Sequence, residues 1–153
     1  MKTTFTLVTM LLISICFTAC VKQVDVITPP AQNSINGTWY VSDASTYNGY
    51  GWASFNANLP GVFSFYNDGS AQYADNLGTM NGDWSSNFVY TDYYDEYGNY
   101  ETNSHNDFKV DVSANDGSYV DLSFDDITFA GNNRFIATYY DGKSIKRYTF
   151  IHY

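Results

Sequence analysis

The sequence predicts an all-β fold, an antiparallel up-and-down barrel of about 8–10 strands. Tyr, Phe, Thr and Val are abundant from residue 35 onward, and no stretch carries a helical stripe. Turn signals recur at short intervals: Asn67-Asp68-Gly69, Tyr97-Gly98-Asn99, Asn115-Asp116-Gly117, Gly131-Asn132-Asn133 and Asp141-Gly142-Lys143. Between them, apolar and polar residues alternate with period two, one face in and one face out.

The first element is not part of this domain. Met1-Lys2-Thr3-Thr4 is short and positive, Phe5 to Phe17 is mostly apolar, and Thr18-Ala19 are small and precede Cys20. This is the layout of a secretory signal peptide, residues 1–19. Thr3 to Ala19 falls short of the roughly 20 apolar residues that span a bilayer. Residues 20–34 read as a linker, stiffened by Pro29-Pro30. Residues 35–153 are one domain's length of chain.

Along that domain the expected strands follow in order. Phe63 and Phe65 share a face that leads into the first Asp-Gly turn. Met80, Gly82 and Trp84 share the next. Phe108, Val110 and Val112 alternate with Lys109, Asp111 and Ser113, and Val120, Leu122 and Phe124 with Tyr119, Asp121 and Ser123. Phe135, Ala137 and Tyr139 form one further face, and Tyr148, Phe150 and His152 the last. Closing such a meander into a barrel removes exposed sheet edges.

Charge narrows the partners. The chain has 7 Lys+Arg and 16 Asp+Glu; loss of Lys2 with the signal leaves a balance of −10. Nucleic acid is not an expected partner, since its binding rests on Lys and Arg meeting phosphates. The two cysteines, Cys16 and Cys20, permit no disulfide in a processed chain. No metal or cofactor is expected: His105 and His152 are far apart, and a structural zinc site takes four Cys or His ligands. The acidic stretch Asp92 to Glu101 does not fit the spacing of a Ca²⁺ loop and reads as a solvated hairpin tip. Asp125-Asp126 are neighbours that flank a turn, not a carboxylate pair facing across a cleft. No Gly-x-Ser-x-Gly elbow is present, and no catalytic site is expected.

Two resemblances add to this reading. Phe17-Thr18-Ala19-Cys20 resembles the lipobox of bacterial lipoproteins, which implies cleavage before Cys20, its acylation, and a bilayer as partner. The implied location is the outer membrane of a Gram-negative cell envelope. Gly37-Thr38-Trp39 resembles the Gly-x-Trp of lipocalins and of bacterial lipocalin-like lipoproteins. Phe63-Ser64-Phe65-Tyr66-Asn67-Asp68-Gly69-Ser70, Gly82-Asp83-Trp84, Ile127-Thr128-Phe129 with Phe135, and Tyr148-Thr149-Phe150 are similar to later segments of those relatives. The resemblance implies a barrel whose bottom is closed by Gly37 and Trp39, with Lys146 or Arg147 packed across the Trp. The chain departs from lipocalins proper in ending on the last strand, without a following helix.

Aromatic residues are the strongest functional lead: 15 Tyr, 11 Phe and 3 Trp. Trp52 lies in the Gly-rich stretch Tyr47 to Trp52, expected as a mobile loop over the barrel mouth. With Phe63, Phe65, Trp84 and Tyr139 it forms the candidate ligand-contacting set. The expected function is binding of a small apolar or amphipathic ligand. The alternatives are a surface recognition module for glycan or protein, with Tyr90 to Tyr100 as an example surface, and a structural subunit of an envelope assembly. An empty interior is expected for small-ligand binding and a filled one for the surface recognition module.

Overall fold

A computed structural model describes residues 35–94, 98 and 100–153. The expected signal peptide, Cys20 and the expected linker lie outside the described residues, as do residues 95–97 and 99 of the acidic stretch. Among the described residues there are twelve strands and no helix. They are β1 Gly37–Tyr47, β2 Trp52–Ser54, β3 Val62–Phe65, β4 Ser70–Ala74, β5 Thr79–Ser85 and β6 Phe88–Tyr94. After them come β7 Tyr100–Asn106, β8 Phe108–Ser113, β9 Tyr119–Phe124, β10 Asp126–Phe129, β11 Arg134–Tyr140 and β12 Ile145–His152.

Every pairing is antiparallel. Ten strands form one sheet in the order β10-β11-β12-β1-β3-β4-β5-β8-β9, with β2 paired to β1. The up-and-down order has one excursion: β6 and β7 leave it between β5 and β8 as a separate hairpin. Asp107 holds the base of that hairpin, its Oδ1 accepting the Asn87 backbone N–H at 2.7 Å and the Asn87 amide at 3.1 Å.

The sheet curls, but its hydrogen-bonded ring is not complete. The closed barrel expected from the sequence is an open, rolled sheet whose outer strands are β9 and β10. These two are consecutive in the chain, with Asp125 alone between them. Asp125 donates its backbone N–H to the Thr138 carbonyl at 2.9 Å. Its carboxylate accepts the Tyr140 backbone N–H at 2.7 Å. The strand turns there from the β8 side to the β11 side, so neither half is paired on both edges.

The alternation read from the sequence matches the burial. In β8, Phe108, Val110 and Val112 are buried while Lys109, Asp111 and Ser113 are exposed. Inward rings from strands on opposite sides of the roll meet. Phe108 lies 5.4 Å from Phe65 and 5.6 Å from Phe135, and Phe124 lies 5.1 Å from Tyr148. Phe135 stacks on Phe150 at 4.5 Å. Trp39, Phe63, Phe108, Phe135 and Phe150 have no exposed surface at all. Rings at such distances gain both burial and edge or stacking contacts, so the centre of the roll is filled with side chains.

Two turns use one device. Asn67-Asp68-Gly69-Ser70 and Asn115-Asp116-Gly117-Ser118 repeat the same four residue types. In each the glycine has positive φ, 85° at Gly69 and 89° at Gly117. In each the Asp carboxylate accepts the Ser backbone N–H and the Ser hydroxyl. These bonds, the hydroxyl's first, hold Asp68 and Asp116 below the usual carboxylate range.

Gly82 is required by contact. A Cβ there would stand 2.0 Å from the Asp111 carbonyl oxygen of the paired β8. The glycine of Gly82-Asp83-Trp84 thus lets β5 and β8 approach, while Trp84 packs inward and donates its indole N–H to the Tyr66 carbonyl at 2.9 Å.

Candidate recognition surface

The residues singled out from the sequence fall into two groups. Phe63, Phe65 and Trp84 are buried in the core, packed on one another and on Phe108. Trp52 and Tyr139 are 46% and 38% exposed. Tyr139 borders a cleft of about 270 Å³ at the inner mouth, with Leu122, Phe124, Lys146 and Tyr148. Desolvation at this mouth pushes the Tyr148 hydroxyl pKa above its ordinary value.

Gly37 and Trp39 lie at the start of β1, paired with β3, and Trp39 also with β12. Gly37 has φ 129°, and a Cβ on it would stand 2.7 Å from Nε2 of His152. Trp39 donates its indole N–H to the Ile35 carbonyl at 2.7 Å. Phe135 and His152 are both set edge-on against it, at 4.8 Å and 4.9 Å, the latter because the register places Trp39 opposite His152. Lys146 and Arg147 pair with Thr46 and Ser45, at the far end of β1. The basic residues expected across Trp39 therefore lie elsewhere. Arg147 lies over a different tryptophan, Trp52, with its guanidinium carbon 4.4 Å from the ring centroid.

The stretch expected as a mobile loop contains a strand. Trp52, Ala53 and Ser54 pair with Tyr47, Thr46 and Ser45. The turn is confined to 48–51, where Gly49 takes φ 93°. Trp52 consequently sits on the outer wall rather than over the mouth. Directly opposed residues of antiparallel strands share a face. Tyr140 opposes Ile145, Ile145 opposes Tyr47, and Tyr47 opposes Trp52. One line of large side chains therefore crosses β11, β12, β1 and β2, and at about 4.8 Å between strands it spans about 14 Å. Tyr47 and Trp52 are 5.5 Å apart, and the Tyr47 hydroxyl donates to the Gly49 carbonyl at 3.2 Å. Beside the line, Arg147 opposes Ser45 and Ser45 opposes Ser54. Tyr47, Tyr140, Lys143 and Ile145 also border a cleft of about 260 Å³. No sequence motif pointed to this line, because it exists only once four strands are placed in register.

His105, Asp125, Asp126 and Tyr140 border a cleft of about 440 Å³ beneath the β6–β7 hairpin. A further cleft of about 380 Å³ lies beside Val41 to Ala44, where β1 is paired by neither β2 nor β3. Among the described residues, no group of three or more His, Cys, Asp or Glu is placed to hold a metal ion. Tyr90 of the hairpin is 61% exposed, whereas the side chains of Tyr93, Tyr94 and Tyr97 lie outside the described residues. Compared with family models, with curated proteins and with solved structures, the chain has no match.

Proposed function

We propose that this chain is an envelope lipoprotein, cut and acylated at Cys20 and held off the outer membrane by residues 20–34, whose domain binds glycan on its outer wall. The line Tyr140–Ile145–Tyr47–Trp52 carries this reading. Tyr and Trp offer an apolar face with a polar edge, which suits the C–H faces and hydroxyls of sugars. The line is one residue wide and flanked by Ser45, Ser54, Gly49 and Gly142, small or hydroxyl-bearing positions that leave room along it. A narrow strip fits a linear polymer better than a protein partner, which usually covers about 800 Å² per side. The ring-filled interior supports a surface role in place of a ligand held deep inside. The adjoining outer strands, linked through Asp125, support a lipocalin-like barrel as the parent form of the rolled sheet. The role is binding, without catalysis.

The test is retention on immobilised polysaccharides for the wild type, Trp52→Ala and Tyr47→Ala. The wild type is expected to bind and both variants to lose binding while keeping their melting temperatures. Wild-type binding that survives both substitutions would overturn the assignment to this surface.

A second reading has its own observation, the inner-mouth cleft lined by Leu122, Phe124, Tyr139, Lys146 and Tyr148. It suits the head of a small amphipathic molecule. At about 270 Å³ it lies just under the roughly 300–1,000 Å³ of ordinary ligand pockets. Native mass spectrometry of protein purified from its host would detect such a molecule, and bare protein across lipid extracts would remove this reading.

A further inference from the structure

Charge is distributed very unevenly over this acidic chain. The whole sequence has a formal charge of −9. Among the described residues the cations are Lys109, Arg134, Lys143, Lys146 and Arg147, so three of the five fall within five consecutive positions. Two of those three belong to the outer wall. Arg147 shares the face of Ile145, Tyr47 and Trp52, and Lys143 borders the cleft between Tyr47 and Tyr140. Lys146 points the other way, to the inner mouth.

Neither outer-wall cation is in an ion pair among the described residues. Among the described residues no carboxylate is ion-paired with Arg147, whose contact is the Trp52 ring. Asp141, the acid nearest Lys143 in sequence, keeps its negative charge and is hydrogen-bonded within its own turn. It accepts the backbone N–H groups of Lys143 and Ser144 and the Ser144 hydroxyl. Other acids bound the strip at its opposite end. Asp125 is hydrogen-bonded to the Tyr140 backbone, and Asp126 lies beside it in the neighbouring cleft. Arg147 thus lies on the Trp52 side with the exposed Asp43 next along the same face, Lys143 and Asp141 share the turn beside Tyr140, and Asp125 and Asp126 lie beyond Tyr140. At physiological salt, charges are screened over about 8 Å, so a ligand lying on the strip senses Arg147, Lys143 and the adjacent Asp43 and Asp141 more than the acidic remainder of the chain.

We infer that the glycan is anionic, a uronic-acid polymer whose carboxylates meet Arg147 and Lys143 while its sugar rings lie along Trp52 and Tyr47. This rests on the outer-wall glycan reading and adds the charge of the ligand. Arg147 suits the role because its planar guanidinium presents paired donors to a carboxylate and is already held over Trp52.

The test compares binding to polygalacturonate, alginate and hyaluronate with binding to methyl-esterified polygalacturonate and other neutral polymers. It uses the wild type, the double variant Lys143→Gln/Arg147→Gln, and Lys146→Gln as the inner-mouth control. At least one uronate polymer is expected to bind about tenfold or more tightly than the neutral polymers. The double variant is expected to lose that preference while Lys146→Gln keeps it, and the preference is expected to fall as salt rises. Equal binding of charged and neutral polymers, insensitive to the double substitution, overturns the charge inference and leaves the glycan reading standing. Failure of every polymer to bind a folded wild type overturns both. Loss of the preference in Lys146→Gln, with the double variant unaffected, moves the ligand to the inner mouth and also overturns the inference.

Discussion

Two tryptophans mark opposite ends of the same strand pair and live under opposite rules. Trp39 has no exposed surface, satisfies its indole N–H on Ile35, and is braced by Phe135 and His152. Trp52 is nearly half exposed and is met by Arg147 and Tyr47. The end around Trp39 converts aromatic surface into stability. The end around Trp52 leaves aromatic surface in water, next to charge, where it contributes little to folding. Residue type alone does not separate these two uses; register does.

The largest effect that would sharpen this contrast is Trp39→Ala. Removing a fully buried indole is expected to cost about 3–5 kcal/mol, read by urea denaturation; a loss under about 1 kcal/mol would mean that this end is not the stabilising one. Next comes one substitution made at both ends. Gly37→Ala meets both a positive φ and the His152 ring, whereas Gly49→Ala meets positive φ and open space. The first is expected to cost about 2–3 kcal/mol and the second about 1 kcal/mol; equal losses would show that the His152 contact is immaterial. Smaller again is Trp52→Ala, expected to change stability by less than about 1 kcal/mol. It should also abolish the iodide-quenchable part of the tryptophan fluorescence, since Trp39 and Trp84 are buried.

The smallest effect is at the exposed Asp141, whose bonds to Ser144 first, then to Lys143, bring its pKa to about 2 from 3.8. A lowered folded-state pKa stabilises the native state above the unfolded value, and the contribution is lost as pH falls through the folded one. Between pH 3.8 and about 2, the melting temperature of Asp141→Asn should therefore fall less than that of the wild type. Parallel curves would show that this turn does not couple to folding.

Much of the fold is legible before any coordinates. Period-two runs such as Phe108 to Ser113 state their own inward faces, and the repeated Asn-Asp-Gly-Ser turns announce themselves chemically. What is not legible has a common cause. Trp52 to Ser54 is too short and too Gly-flanked to show a period, yet pairing with β1 makes it a strand. The excursion of β6 and β7 is invisible because alternation says which way a side chain points and nothing about which strand lies beside it. The placement of Arg147 over Trp52 rather than Trp39 depends on the β1–β12 register, including its irregularity between Val41 and Asp43. The candidate surface is likewise a product of register, and only its residue types, Tyr and Trp, were marked in advance.

The pairing of β1 with β12 sets an order of events during biosynthesis. Most other strands of the large sheet pair with a near neighbour in the chain, and such local contacts form fast. Trp39 and His152 meet only after almost the whole domain has been made. Until the eight residues of β12 are released, β1 offers one unpaired edge and part of the aromatic interior to whatever is nearby. Ribosome pausing near the C-terminus therefore lengthens the aggregation-prone interval directly, and truncation of the last strand would make that interval permanent.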